Sequence, residues 1–250
     1  MGIMEEQSVW VQTDADQPTR RQLSLIKGVA MELKNPLTHI AGTSHMLASG
    51  QYRPEELVEQ LLRLELASDR LIKLVDGLLL AGRAADGQIA LDLEPINVAA
   101  IVSRGVKELE PLAQRYGRSF RVQFTAELMP AVAHDRALDL VCYNLLDTIM
   151  RTSHSEVVEV LVHHQLDGVM VTIRDDGDTL ETATLTSILR KLGTSAQPSQ
   201  HLPGVSGVSL FIANTLLTGM SGHLQAGRVR NKRTLSLTLP RSHQLQLVSI

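Results

Sequence analysis

The sequence predicts an α+β protein in which a long helical hairpin precedes a domain of mixed strands and helices. Apolar residues recur at helical spacing over residues 20–49 and again over residues 57–79. Segments that alternate between apolar and polar residues, as strands do, appear only after about Glu94. The 250 residues, 44% of them hydrophobic, allow one large domain or two small ones. Residues 1–19 are polar and predict a disordered tail.

The hairpin is predicted from two amphipathic runs and the turn between them. Gly50 ends the first run, and Pro54 suits the first position of the next helix because its φ is already fixed near the helical value. Leucines continue the second run to Leu79, and Gly82 marks its end. A lone hairpin leaves its apolar seam in water, whereas two copies bury it in a four-helix bundle. We therefore expect residues 20–84 to form a homodimerisation domain.

The second domain is predicted over residues 95–240, followed by a tail over residues 241–250. Its strand at Phe120–Thr125 alternates clearly, and a turn at Asp167-Gly168 separates two further strands. Residues 193–207 are rich in Gly, Ser and Pro and predict a loop. The remaining predicted elements are helices over 98–116, 136–152 and 208–218, and strands over 157–163, 169–173, 224–226 and 234–239.

Composition excludes several classes of function. The net charge of −3 argues against a large nucleic-acid interface, and the aromatic content of 3% argues against a stacking platform for single strands. A single cysteine, Cys142, rules out a disulfide framework, and the histidines lack metal-ligand spacing. No run is apolar enough to cross a bilayer, and the N-terminus lacks a signal-peptide pattern. We expect a cytoplasmic protein with no metal site and no nucleic-acid or membrane partner.

The stretch Met31-Glu32-Leu33-Lys34-Asn35-Pro36-Leu37-Thr38 resembles the H-box of sensor histidine kinases, which reads roughly H-E-L-R-T/N-P-L-T. The order of elements after residue 95 resembles the ATP-binding α/β sandwich of the same family, which is of the GHKL type. Together the resemblance covers roughly residues 20–240. Met31 occupies the slot of the phospho-accepting histidine, and a thioether has no protonatable nitrogen and no acid–base role near neutral pH. The chain therefore looks like a pseudokinase.

The resemblance also identifies vestigial nucleotide-binding residues. In Asn144-Leu145-Leu146-Asp147-Thr148-Ile149-Met150-Arg151, Asn144 matches the family box N-L-L-x-N-A-x-K, Thr148 replaces the asparagine that binds Mg²⁺, and Arg151 keeps a cation that can contact phosphate. The neighbouring Asp147 is expected to point elsewhere on the helix.

Two glycine boxes are also incomplete. Asp175 and Gly177 match the family box D-x-G-x-G, in which the aspartate receives the adenine amino group, but Thr179 replaces the second glycine. Gly207 alone survives from the phosphate-cradling box G-x-G-x-G. Because three elements are damaged together, we expect binding of ATP and Mg²⁺ to be weak or lost. Outside the family context, Asp175-Asp176-Gly177-Asp178 is simply an acidic turn after a strand.

Glu32 and Asn35 resemble the phosphatase motif that follows the histidine in this family. Asn35 would orient a water molecule for attack on the aspartyl phosphate of a response regulator, and Glu32 would contact a nearby cation or orient the helix surface. Two structural alternatives remain: Asn35-Pro36 can mark a helix kink, and Glu32 can be a solvated helix residue. His39, two turns after Met31, is a candidate for a displaced phospho-acceptor.

These observations favour a dimeric adaptor of two-component signalling. It would bind the receiver domain of a response regulator, or a sensor kinase, and possess at most phosphatase activity through Glu32 and Asn35. One alternative is an ATP-binding kinase that acts in trans or through a displaced histidine. Another is a phosphotransfer protein with a vestigial ATP domain, although methionine at position 31 replaces the relay histidine that this function requires.

Overall fold

A computed structural model describes residues 20–50, 53–86, 89–125, 129–166, 168–177 and 207–242, apart from the side chains of residues 20–25 and 54. The predicted tail at residues 1–19, most of the predicted C-terminal tail, Thr179 and the predicted loop up to residue 206 lie outside these ranges. The described elements confirm the predicted α+β class: a helical hairpin is followed by an α/β sandwich.

The hairpin consists of α1 (Arg20–Ala48) and α2 (Pro54–Ala85). Pro36 lies inside α1, which continues through it, and Pro54 occupies the first turn of α2 as predicted. Glu56 supports the start of α2 because its carboxylate accepts the backbone N–H of Arg53 at 3.4 Å. Within the described ranges, no helix combines the length and the apolarity that a membrane crossing requires.

The second domain is a five-stranded sheet with helices packed on one face. Its strands are β2 (Ser119–Phe124), β4 (Val157–Gln165), β5 (Gly168–Asp175), β6 (His223–Val229) and β7 (Lys232–Pro240), in the order β2-β4-β5-β7-β6. The pair β2–β4 is parallel and the other pairs are antiparallel. Helices α3 (Val98–Arg115), α4 (Asp135–Thr152) and α5 (Val208–Gly219) supply the other layer of the core.

A second, two-stranded sheet was not predicted. In it β1 (Glu94–Ile96) pairs antiparallel with β3 (Ala131–Ala133). Each strand has only three residues, too few for an alternating pattern to stand out, and Pro95 weakens any strand signal. The side chains of Asn97 and His134 accept backbone N–H groups at the starts of α3 and α4, which fixes where these helices begin.

The hairpin packs against the helical layer of the second domain. A Cβ placed on Gly77 of α2 would lie 3.0 Å from Cγ2 of Ile212 in α5 and 3.9 Å from Nδ2 of Asn144 in α4. A Cβ on Gly28 of α1 would lie 3.6 Å from Val208 at the start of α5. Glycine at position 77 therefore permits a close approach of the hairpin to α4 and α5, which carry residues of the predicted nucleotide-binding boxes.

Candidate functional site

The predicted phospho-acceptor slot lies on an exposed surface of α1. The Met31 side chain is 42% exposed, which is high for an apolar residue of this size. Asn35, one helical turn later, is also exposed, whereas Pro36 is buried. A partner protein can therefore reach Met31 and Asn35 without any rearrangement of the described residues.

Glu32 does not share this exposed surface. It is buried, and Arg70 of α2 donates to its carboxylate, with Nη2 2.9 Å from Oε1. Arg70 also contacts Asp147 of α4, with 3.5 Å between Nε and Oδ2, and Asp147 in turn accepts from Nε of Arg151 at 2.8 Å. We call Glu32, Arg70, Asp147 and Arg151 the interdomain ion-pair chain. Glu32 is buried in an ion pair, so it is not a solvated helix residue.

A second group of ion pairs joins the same two parts of the protein. Lys73 of α2 lies 3.0 Å from both Glu108 of α3 and Asp139 of α4. Burial acts to lower the pKa of Lys73, but hydrogen bonds to Glu108 and Asp139 outweigh it, and the net effect raises that pKa. Burial likewise acts to raise the pKa of Asp139, and hydrogen bonds from Arg104 and Lys73 outweigh it and lower that pKa. Lys73 and Asp139 therefore stay charged and paired at neutral pH.

The polar side chains of α4 are covered where the hairpin docks. Asn144 is 5% exposed and Thr148 is 4% exposed, and Gly77 of α2 lies against Asn144. The Asn144 amide donates to the carbonyl of Leu140 in its own helix at 2.8 Å. Arg151 lies at the edge of this contact, where it pairs with Asp147 and donates to the Tyr116 hydroxyl at 3.2 Å. The residues that the sequence predicts to face phosphate are therefore buried or hydrogen-bonded within the protein.

Asp175 forms a buried ion pair with Arg233. Two parallel hydrogen bonds of 2.7 Å join them, Nε to Oδ1 and Nη2 to Oδ2, and the side chains are 0% and 1% exposed. The N–H of Gly177 also donates to Oδ2 of Asp175 at 3.0 Å. A Cβ on Gly177 would lie 2.5 Å from the guanidinium carbon of Arg233, so only glycine leaves room for this arginine. The guanidinium fills the space in front of the carboxylate expected to receive adenine.

Gly207, from the predicted phosphate-binding box, has a backbone conformation that favours glycine. It is the residue immediately before α5 and has a φ of 77°, a left-handed conformation that favours glycine. The other residues of that box before Gly207 lie outside the described ranges.

The described residues do not fit ATP and Mg²⁺ in this arrangement. Arg233 already satisfies the Asp175 carboxylate. Nδ2 of Asn144 is bonded within its own helix, and Thr148 is buried beside it. A nucleotide that used Asp175 would have to displace a bidentate buried ion pair, which opposes binding.

Two residues that organise this region, Arg70 and Arg233, were missed from the sequence. Arg233 carried a usable signal: in the alternating segment of β7 it falls on the same face as Leu235, Leu237 and Leu239, which are buried. A charged residue on the buried face of a strand indicates a buried partner. Arg70 carried no comparable signal, because an arginine on an amphipathic helix is ordinarily solvated. The pair of Asp147 and Arg151 within α4 was not predicted either, although its i,i+4 spacing allows it.

Two family models match the chain. Residues 21–87 match the His Kinase A (phospho-acceptor) domain. Residues 133–243 match the histidine kinase-, DNA gyrase B-, and HSP90-like ATPase. The first match contains Met31 and the hairpin, and the second contains Asn144, Asp175 and Arg233.

Curated relatives are similar over much of this chain. The sensor histidine kinase CpxA of Escherichia coli (strain K12) is 25% identical over 205 residues, which cover 82% of this chain and 44% of CpxA. The cell-division control histidine kinase PdhS of Brucella ovis is 23% identical over 178 residues, which cover 69% of this chain and 17% of PdhS. The chain thus spans less than half the length of these relatives.

Solved structures share the fold. The histidine kinase AdeS of Acinetobacter baumannii superposes with a TM-score of 0.57 at 18% identity, covering 85% of this chain and 98% of that structure. Full-length ShkA, crystallised in complex with AMPPNP, superposes with a TM-score of 0.59 at 18% identity, covering 91% of this chain and 47% of that structure.

Breaking the buried ion pair is expected to destabilise the protein strongly. Arg233→Met leaves the Asp175 charge buried without an ionic partner, which should lower the free energy of unfolding by about 3–5 kcal/mol. Adding Asp175→Leu should recover most of that loss, because an apolar pair then replaces the ionic one. Arg121→Met, at a side chain that is 60% exposed, is the matched control and should change stability by less than about 0.5 kcal/mol. Urea denaturation measures all four proteins, and equal stability of the Arg233→Met and Arg121→Met variants would contradict the prediction.

Proposed function

Because the chain belongs to the histidine kinase family, we propose that it is a degenerate member that acts in two-component signalling without using ATP. It binds the receiver domain of a response regulator, or a partner sensor kinase, through the exposed surface of α1 around Met31 and Asn35. Methionine at the exposed acceptor position is the observation that carries this proposal, since no phosphoryl group can be stored there.

The occupied nucleotide-facing residues support the same proposal. Asp175 is hydrogen-bonded to Arg233, and Asn144 of α4 is buried against Gly77 of α2. Loss of the acceptor and loss of a free nucleotide site are independent changes, yet both remove the same step, which is transfer of phosphate from ATP. The second domain then serves as a scaffold that holds the hairpin.

Asn35 supplies the chemistry that remains. Its exposed amide can accept from and donate to a water molecule and aim the water oxygen at the phosphorus of the receiver's aspartyl phosphate. Attack forms the new P–O bond, the bond to the aspartate oxygen breaks, and the products are free aspartate and inorganic phosphate. The Mg²⁺ for this step comes from the receiver. Glu32 contributes by position, because its ion pair with Arg70 fixes the orientation of α1.

The proposed active form is a homodimer. Apolar side chains remain exposed along one side of the hairpin, among them Ile26 at 60%, Ile72 at 58% and Leu79 at 54%. Ile72, Val75 and Leu79 follow the 3–4 spacing of a coiled-coil seam, on the side of α2 away from the second domain. A second copy of the hairpin covers such a seam in a four-helix bundle.

Restoring histidine at the acceptor position is expected not to restore kinase activity. Met31→His returns the acceptor, but Arg233 and α2 still block the described nucleotide-facing residues. Incubation with radiolabelled MgATP should leave both the wild type and the M31H variant unlabelled, while an active histidine kinase in the same assay is labelled. Acid-labile label on the M31H variant would overturn the loss of ATP use and favour the alternative of an ATP-binding kinase acting in trans.

Asn35→Ala is expected to slow dephosphorylation of a bound response regulator by at least about tenfold, because the water loses its positioning partner. Binding to the receiver should be unchanged. Ser44→Ala is the matched control, since nine residues further along α1 its exposed side chain lies on the opposite side of the helix. Loss of phosphate from a pre-phosphorylated regulator and binding by calorimetry are measured in parallel. Equal dephosphorylation by all three proteins would remove the catalytic role and leave a binding role.

Ile72→Glu is expected to convert the dimer to a monomer, because it places a charge in the apolar seam between hairpins. Leu166→Glu is the matched control: Leu166 is 91% exposed at the β4–β5 turn of the second domain, far from the seam in the fold. Light scattering after size-exclusion chromatography gives the mass of each variant. A monomeric wild type at high concentration, or a dimeric I72E variant, would refute the predicted seam.

A further inference from the structure

A cleft of about 740 Å³ lies where the hairpin meets the second domain. Asn35 and His39 of α1 line one side, and the end of α3, the turn at Tyr116 and Arg151 of α4 line the other. The volume lies within the range of small-molecule sites, roughly 300–1,000 Å³. Sites of this kind occur preferentially between domains, and here a bound molecule would contact both.

The lining of the cleft is strongly cationic. Four arginines reach it from three helices, and no aspartate or glutamate is among the residues that line it; the arginines are Arg63, Arg70, Arg115 and Arg151. Their carboxylate partners Glu59, Glu32 and Asp147 do not line the cleft. A guanidinium has five N–H donors, so the one carboxylate partner of Arg63 and of Arg151, and the two of Arg70, leave donors for a further anion. Arg115 makes no ion pair with any described residue.

The rest of the lining combines neutral polar side chains with apolar and aromatic ones. Leu66, Leu112 and Pro36 lie beside the arginines, and the Tyr116 ring is half exposed. Arginine binds phosphate through paired N–H donors, and convergence of several arginines favours a group with more than one negative charge over a single carboxylate. The combination matches a molecule that is anionic at one end and apolar at the other.

We propose that this cleft binds a small phosphorylated molecule with an apolar or aromatic portion, held by Arg63 and Arg115 from opposite sides. Such a ligand would join the hairpin to the second domain and stabilise their docking. The site is separate from the Asp175 region and needs neither ATP nor a response regulator. It therefore stands whether or not the receiver-binding function holds.

Calorimetric titration of the full chain with inorganic pyrophosphate, without Mg²⁺ and at fixed ionic strength, tests the charged half of the site. The expected result is saturable binding at one site per chain. Arg115→Gln should weaken that binding at least about tenfold, because it removes a charge-assisted hydrogen bond to the anion. Arg121→Gln, an exposed arginine on β2 outside the cleft, should leave the affinity within about twofold, since it removes the same charge without a contact.

Arg63→Gln provides a second, independent variant on the opposite side of the cleft and should weaken pyrophosphate binding as Arg115→Gln does. Absence of saturable binding, or equal weakening by the Arg115 and Arg121 variants, would overturn the proposal. Retention of wild-type affinity in both cleft variants would also overturn it, because binding would then lie elsewhere. Tighter binding of phenyl phosphate than of methyl phosphate would support the proposal that the ligand has an apolar or aromatic portion. Equal binding of the two would contradict that part of the proposal.

Discussion

The contact between Arg70 and Asp147 is the interaction on which the arrangement of the two domains depends. Glu32 and Asp147 are both buried carboxylates, and a buried charge without a partner is strongly unfavourable. Arg70 contacts both carboxylates from a helix of the hairpin. Its pair with Glu32 lies within the hairpin, whereas its contact with Asp147 forms only when α2 docks on α4. Lys73, one turn further along α2, likewise pairs with two carboxylates of the second domain, those of Glu108 and Asp139. Because these charges need one another, they specify where α2 lies on the second domain, while Gly77 allows the close approach that the apolar contact with Ile212 requires.

The same docking accounts for the state of the residues that would otherwise serve nucleotide chemistry. In a fold whose α4 helix offered an open polar face, Asn144 and Thr148 would be free to meet phosphate and metal. Here both residues are buried, with Gly77 of α2 against Asn144, and Arg151 pairs with Asp147. At the far end of β5, Arg233 has the equivalent effect on Asp175. The Asp147 region lies in the helix layer and the Asp175 region lies in the sheet. Each buried carboxylate pairs with an arginine, Asp147 with Arg151 and Asp175 with Arg233. The surface left open for a partner is that of α1, where Met31 and Asn35 are exposed.

Much of the fold followed from the sequence, and its failures have identifiable causes. The helical repeat of α1 and α2 and the alternation of β4, β5 and β7 predicted those elements with small errors at their ends. The pair β1–β3 escaped because three-residue strands carry too little pattern. Glu32 and Asn35 belong to one predicted motif beside Met31, yet Glu32 is buried while Met31 and Asn35 are exposed. Spacing of one and three residues spreads side chains over a wide arc of the helix, and the position of the neighbouring domain decides which part of that arc is covered.

By itself the sequence determined that the acceptor position holds a methionine, that the glycine boxes are incomplete, and that two long helices precede a mixed domain. These are statements about residue identity and local periodicity, which need no partner. Only the tertiary structure decided the partners of the charges. Asp175 and Arg233 are 58 residues apart in the chain and meet because antiparallel pairing of β5 with β7 places them directly opposite each other. Arg70 contacts Asp147 because α2 packs against α4 in one particular position along the helix axes. Strand register and helix packing depend on contacts distant in sequence, so local patterns do not encode them.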